Sequence, residues 1–569
     1  MSYTNPLHKD LIKIVISALM ALFLVPLTAW FFVRYALPSE AAIEIAEPFT
    51  PLWQFQIANQ VAGAALIAGI IMLLVLCALG AAAFTNRQVQ YLSFVTGWQL
   101  LRLFCAIEVL AQGTLLVWLA FWLTAFFGQV YFPKLIGLAA IFAAASAFYA
   151  IVCIFQRVPQ TTNIEGEVID EILAPALWAH VRKLSAEAGT APPDHIVAGN
   201  DANFFVTETP LHLKERTLSG RSLFVSLPLL RLLNRTEANA VLMHELAHFR
   251  GGDTASSAKL GPKLAQYDYY CAMMHTARIP AFYVLCLYRV IFEFALKRDS
   301  RDREFLADRV AATLVSAQGI IRALIKISAY TCYRDVIEQK LFAEEGQHSD
   351  QIGIADRVAK GLKPYAESAQ FIDEMQAASI PHPFDTHPGL RERMHRVGYE
   401  VRELDYSQIV TQPNDSTWII DIQNADAIEQ ALWEVYENRF AMAHEQQLAY
   451  RYLPATASER AIVLKYFPTI EFELRDGNQI VISYDGLMLP REANILSWDK
   501  VADMKYEEGL MGDILSIIHP EKGWFGDKTT KVKLPGIGKQ RSQLKATLEH
   551  YWQRHWIMRN GLNSKETGQ

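Results

Sequence analysis

Val241-Leu242-Met243-His244-Glu245-Leu246-Ala247-His248-Phe249 reads as part of a single helix, and its spacing decides what kind of domain surrounds it. Residues four apart on a helix share a face, so His244 and His248 can offer two neutral imidazoles to one metal ion. Glu245 lies one step round the helix, where it can reach a water on that metal without being a ligand. Zinc lowers the pKa of such a water to about 7, and a carboxylate can then accept its proton. The pattern is H-E-x-x-H. Asn234, with Glu237 three residues on, is a capping box for the start of this helix. Gly251-Gly252 ends it, and Asp253 can cap the next segment of the chain.

The bland reading is two surface histidines. In a chain with 15 histidines, chance produces this pattern in roughly a few chains per hundred. Here the motif sits among apolar residues, and burying two histidines and a glutamate with no metal would be costly. His444-Glu445-Gln446-Gln447-Leu448 begins the same way but lacks the second histidine. A catalytic zinc needs a third protein ligand and an open position. Ser300-Arg301-Asp302-Arg303-Glu304-Phe305-Leu306-Ala307-Asp308 supplies the best candidate. Glu304 completes a His2Glu set, and Asp308, four residues on, can accept the remaining ring N–H of a ligand histidine. In isolation the same stretch would be a charged surface helix.

Upstream, four apolar runs fill the first 160 residues: Leu11 to Val33, Val61 to Phe84, Leu103 to Phe127 and Leu135 to Phe155. Each is long enough to cross a ~30 Å hydrocarbon core at ~1.5 Å per residue. The first is too long for a signal peptide and has no clean cleavage site after it, so an uncleaved helix is expected. With the N-terminus inside, Lys9, Lys13, Arg87, Arg102 and Arg157 flank the inner ends; only Arg34 and Lys134 flank the outer ends, and the first outer loop carries Glu40, Glu44 and Glu47. The bias predicts a cytoplasmic catalytic domain in a cell inner membrane. Glu108, inside the third run, is either a functional group in lipid or a carboxyl facing neighbouring helices.

The chain has 569 residues, a formal net charge of -6, a 51% hydrophobic fraction and a positive mean hydropathy. That length predicts about three or four domains, and the charge, spread without long runs, argues against a nucleic-acid partner. Six cysteines form no C-x-x-C pair, which excludes a thiolate zinc site. Beyond the apolar block, helical spacing is expected over Val168 to Ala186. Extended chain is expected from His195 through Val206 and over Ser222 to Ser226, then helices to about residue 400 and over Trp418 to Tyr452. Ile462 to Phe467, Ile470 to Leu474, Gln479 to Tyr484 and Ile514 to Ile518 read as short strands. A final helix from Ser542 to Met558 repeats Leu544, Leu548, Trp552 and Trp556. This ending resembles a pleckstrin-homology-like module.

His244-Glu245-x-x-His248 followed by Glu304-x-x-x-Asp308 resembles the gluzincin family of the CAAX prenyl endopeptidases and the HtpX-like membrane proteases. Asn203-Phe204-Phe205-Val206 is similar to that family's asparagine-containing strand before the metal helix. Thr386-His387-Pro388-Gly389-Leu390-Arg391-Glu392-Arg393 is similar to its histidine-proline element. The resemblance spans roughly residues 165 to 400. It implies a zinc endopeptidase with one Zn2+ per chain, Asn203 on the edge strand that pairs with substrate, His387 donating to the oxyanion, and Arg393 holding the surroundings of His387 or the substrate. His382-Pro383 shows that a His-Pro pair needs no function. The stretch Ala281 to Leu296, interrupted by Arg289 and Glu293, is too short and too charged for a fifth crossing, so an interfacial or cavity-lining helix is expected.

The expected fold is therefore mixed: transmembrane helices over 1–160, a mainly helical zincin-like domain with a small sheet over 161–400, a helical connector over 401–457, and a β-rich module with a C-terminal helix over 458–569. The expected function is zinc-dependent hydrolysis of peptide bonds in membrane-associated proteins or peptides. Membrane lipid is a further partner, and a protein or lipid is expected to bind the C-terminal module. The alternative is a non-proteolytic scaffold or sensor that retains the fold; the intact Glu245 speaks against it, because a scaffold has no use for a base beside the metal. A transporter is disfavoured by the scarcity of charge in the apolar runs and the absence of a repeat.

Overall fold

The computed structural model describes the chain except residues 1–6, 38–45, 157–161, 215, 345–352, 379–387, 415, 493, 510–511, 524–525 and 567–569. It is mostly helical and divides into two compact units, residues 1–332 with 361–432 and residues 333–360 with 433–569.

The first unit opens with four long helices, α1 (Leu7–Ala36), α2 (Pro51–Ala82), α3 (Arg87–Gly128) and α4 (Pro133–Phe155), which cover the four apolar runs. Their outward faces carry large apolar side chains, among them Ile67, Leu74, Ile141 and Phe148, each more than 60% exposed. A continuous apolar exterior of this kind has a hydrocarbon solvent rather than water. Small residues let the helices approach closely: a Cβ on Gly80 would lie 2.3 Å from Ile291 Cγ2, and one on Gly97 would lie 2.3 Å from Tyr288 Oη.

α5 (Pro175–Ala188) follows the first strand of a four-stranded sheet whose order is Glu167–Val168, His195–Gly199, Ser222–Ser226, Phe205–Thr207. The expected helix from Val168 starts only at α5, with Pro175 in its first turn. The stretch expected to run unbroken from His195 to Val206 is two strands: His195–Gly199 pairs parallel with Ser222–Ser226, and Phe205–Thr207 returns antiparallel on its far side. Phe205–Thr207 is thus, among the described residues, one of the two edge strands of the sheet, and it lies next to the metal-motif helix.

The helices α6 (Leu227–Leu232), α7 (Arg235–Arg250), α8 (Asp253–Thr276), α9 (Phe282–Ala311) and α10 (Ala317–Ala343) come next. α8 and α9 pack into the bundle, where Tyr267, Met274, Leu285, Tyr288 and Phe292 share one core with Leu22, Leu76, Phe94 and Trp98. The segment expected to be too short and charged to cross is part of a fifth helix long and apolar enough to span a membrane. The helix continues past its charged residues, and Arg289 is neutralised by Asp268 and Glu293, and Glu293 also by Lys297. Its start also lines a cavity: Ile279, Pro280 and Ala281 face a space of about 110 Å³ together with Glu108 and Gln112. Glu108 is buried there, its Oε1 accepting a 2.8 Å hydrogen bond from Gln112, whose amide also donates to the carbonyl of Ala21.

The second unit has a four-stranded antiparallel meander, Ile470–Glu473 to Ile495–Ser497, then a three-stranded one, Asp503–Glu507 to Gly526–Leu534, and the helix Arg541–Glu566. Leu544 and Leu548 enter its core beside Phe472, Trp498 and Leu515, while Trp556 is exposed. Ile462 to Phe467, expected as a strand, lies mostly in the helix Ala457–Tyr466. A six-residue apolar run is ambiguous by periodicity alone, and here the capping box of Thr456 and Glu459 decides for a helix.

Candidate metal centre

α7 begins as its sequence demands. Glu237 N–H donates to Asn234 Oδ1 at 2.9 Å, and Asn234 N–H donates to Glu237 Oε2 at 3.0 Å. Glu237 is also buried against Lys326 (2.8 Å) and Arg322 (3.1 Å) of α10, which pins the helix start to its neighbour. The far end stops at Gly251-Gly252, where Gly252 takes φ +66°, a left-handed conformation that suits glycine. That turn does not leave Asp253 as a cap. It stands in the first turn of α8, and its carboxylate points back at His248.

One turn of α7 separates His244 and His248, whose ring centroids lie 5.1 Å apart at 83°. α9 brings Glu304 opposite them. Glu304 Oε2 is 3.6 Å from His244 Nε2, and Oε1 is 3.6 Å from His248 Nε2. One ligand atom from each of the three residues falls within 4.8 Å of the others, the arrangement that could hold a metal. The outer nitrogens each face a carboxylate. His244 Nδ1 is 3.0 Å from Asp308 Oδ1, and His248 Nδ1 is 3.0 Å from Asp253 Oδ2. Each imidazole therefore turns Nε2 toward the shared centre and Nδ1 toward a carboxylate, the pattern that fixes tautomer and ring orientation in metal sites.

The residues fit a zinc ion. Ligand atoms ~2.1 Å from a tetrahedral zinc stand about 3.4 Å from one another, close to the two 3.6 Å separations here. The electrostatics make the same demand. Burial works against a charge on His244, yet Asp308 and Glu304 beside it push its imidazole up to about 10. The cluster is short of positive charge, and a divalent cation would supply it.

Arg393 partly meets that demand from the short helix Leu390–Val397. It is buried and holds Asp308 with two hydrogen bonds, Nε to Oδ2 at 2.7 Å and Nη2 to Oδ1 at 2.6 Å; Nη2 is also 4.0 Å from Glu304 Oε2. Its observed partner is thus Asp308. Glu245 is half-buried on α7 beside His244. Asn203 is exposed, two residues before the edge strand rather than in it. His387, with His382 and Thr386, lies outside the described residues. The sequence reading missed Asp253 as a partner of His248 and saw Arg87 only as a flanking charge. The legible signal was an acid immediately after the glycine pair that ends the metal helix.

Residues 182–401 match the model described as Peptidase family M48. The chain is similar to the Protease HtpX homolog of Pelotomaculum thermopropionicum, 26% identical over 251 residues, which are 40% of this chain and 77% of the relative. The Protease HtpX homolog of Thermococcus kodakarensis is 27% identical over 257 residues, 42% of this chain and 78% of the relative. Protease HtpX of Mannheimia succiniciproducens is 32% identical over 167 residues, 26% of this chain and 56% of the relative. No solved structure matches the chain.

Proposed function

The chain is a membrane metalloprotease of the HtpX-like, M48 kind, and on that premise we propose that it is a zinc-dependent endopeptidase acting on membrane-associated proteins or peptides. His244, His248 and Glu304 hold the ion, and Glu245 is the general base. The observation that carries this reading is the pair of 3.6 Å separations between the histidine Nε2 atoms and the two oxygens of Glu304, with both Nδ1 atoms already facing carboxylates.

Zinc, when bound, would supply a Lewis acid that polarises the scissile carbonyl and acidifies a water. The residues of this chain do the rest. Glu245 takes the proton from the attacking water and delivers it to the departing amine. Asp308 and Asp253, each facing an imidazole Nδ1, keep the two rings aimed with Nε2 toward the ion. The edge strand Phe205–Thr207 pairs with an extended substrate backbone through main-chain hydrogen bonds, with Asn203 at its entrance. His387 donates to the oxyanion, and Arg393 holds the Asp308 carboxylate that orients His244. The domain borders fall after residues 160, 400 and 457. The catalytic part and both termini face the cytoplasm of the inner membrane. The C-terminal unit, two antiparallel meanders closed by one helix, is a pleckstrin-homology-like module that binds a protein or lipid partner.

The test is elemental analysis together with cleavage assays on detergent-purified protein. One zinc per chain is expected, and Glu245→Gln should keep the zinc and lose turnover. No zinc uptake would refute the metal set, and full cleavage by Glu245→Gln would refute the base.

A further inference from the structure

The two histidines are braced alike, but from different places. Behind His244 stands Asp308, and behind Asp308 stands Arg393, all within the peptidase portion. Behind His248 stands Asp253, and behind Asp253 stands Arg87, the first residue of α3. α3 has 42 residues, about 63 Å at ~1.5 Å per residue and so twice the ~30 Å hydrocarbon core. It has enough length to cross and still carry one end out to the metal helix.

The contacts at that end are specific. Arg87 Nη1 donates to the carbonyl of Gly251 at 2.8 Å and pairs with Asp253 Oδ1, and Nε is 3.6 Å from Asp299 Oδ2 on α9. The Asp253 side chain is 9% exposed and divides its oxygens, Oδ1 toward Arg87 and Oδ2 toward His248. The helix itself does not account for the arginine. A cation in the first turn opposes the helix dipole, and α3 already has its cap, Val89 N–H donating to Asn86 Oδ1 at 3.0 Å. Arg87 is explained by what it touches: the last turn of α7 and the carboxylate that aims a metal ligand.

We propose that Arg87 is a positioning residue for the metal centre, through which a membrane helix sets the orientation of His248 by way of Asp253. The inference rests on the zinc reading above. It makes metal affinity depend on the placement of α3, so that the metal centre is tied mechanically to the membrane bundle. Removing the guanidinium frees Asp253 to swing away from His248 and releases Gly251 at the end of α7, with every metal ligand left intact.

The experiment uses the full-length protein in detergent and reads zinc affinity by competition with a chromogenic chelator. Loss of a partner behind a ligand histidine typically costs about 10–100-fold in metal affinity. Arg87→Met and Asp253→Ala should each weaken zinc binding on that scale, and the double variant should be no weaker than Asp253→Ala alone. Arg87→Lys, which keeps the charge without the fork, should recover part of the loss. Arg34→Met, an exposed arginine at the end of α1, should change nothing. Thermal unfolding of every variant in excess chelator checks the fold, and unchanged midpoints are expected. Zinc binding by Arg87→Met as tight as that of the wild type would overturn the inference and leave the metal reading standing, and so would losses that simply multiply in the double variant. Loss of affinity accompanied by a collapsed midpoint in both Arg87→Met and Arg87→Lys would reassign Arg87 to general folding. Failure of the wild type to take up zinc would bring down the metal reading first, and this inference with it.

Discussion

Replacing Arg393 by methionine isolates the charge balance at the heart of the site. The side chain is buried, its methylene stem has a near-equal in methionine, and what the change removes is the guanidinium that grips Asp308 at 2.6 and 2.7 Å. Asp308 is fully buried, and Glu304, 4.0 Å from the same guanidinium, is 7% exposed. Two carboxylates would then share a low-dielectric pocket beside His244 and His248 without the guanidinium between them. Breaking a buried pair by removing one partner costs about 3–5 kcal/mol, chiefly the uncompensated charge left behind. At ~2–4 °C per kcal/mol for a domain of 150–250 residues, the expected fall in Tm is roughly 6–20 °C. The assay is thermal unfolding of the detergent-solubilised protein in excess chelator, because bound metal would raise every midpoint by mass action. The partner variant supplies the control. Asp308→Asn removes the charge that Arg393 serves, so the double variant should be as stable as Arg393→Met or more so. A fall below about 3 °C for Arg393→Met, or a double variant lower by the full Asp308→Asn effect, would show that the two side chains do not depend on each other as the geometry requires.

Other consequences are open to simpler measurements. Gly97→Ala would put a methyl 2.3 Å from Tyr288 Oη and 2.8 Å from its Cζ, displacing the hydroxyl that donates to the carbonyls of Ser93 and Phe94. The expected cost is about 1–3 kcal/mol, partly relieved by Tyr288→Phe in the same chain; no recovery would place the strain elsewhere. His387→Ala should leave zinc content and KM nearly unchanged while lowering kcat about 10²–10³-fold. His382→Ala should do little, and equal losses, or loss of zinc from His387→Ala, would remove the oxyanion role. For the topology, cysteines introduced at Phe49 and Leu404, 82% and 79% exposed, should label from outside intact cells at the first position only. The reverse pattern would invert the membrane orientation.

The sequence alone was enough to pick out the apolar helices and to single out His244, His248 and Glu304, which the fold brings together as a cluster that could hold a metal, because the signals are local. Helical periodicity places His244 over His248, the capping box marks the start of α7, and a hydrocarbon-length apolar run has few other uses. Composition could not decide the apolar stretch at 462–467, because six apolar residues satisfy both periods, nor the fate of α9, whose charges are neutralised in part by a neighbour on another helix. Tertiary structure alone determined which carboxylate stands behind which histidine. Asp308 could be guessed from its spacing to Glu304, but Arg87 lies 166 residues before Asp253 in the chain, and nothing in the local pattern of either marks the other. An ion pair of that kind is set by where two packed helices bring their ends together, a property of the bundle's packing and not of any one segment's propensity.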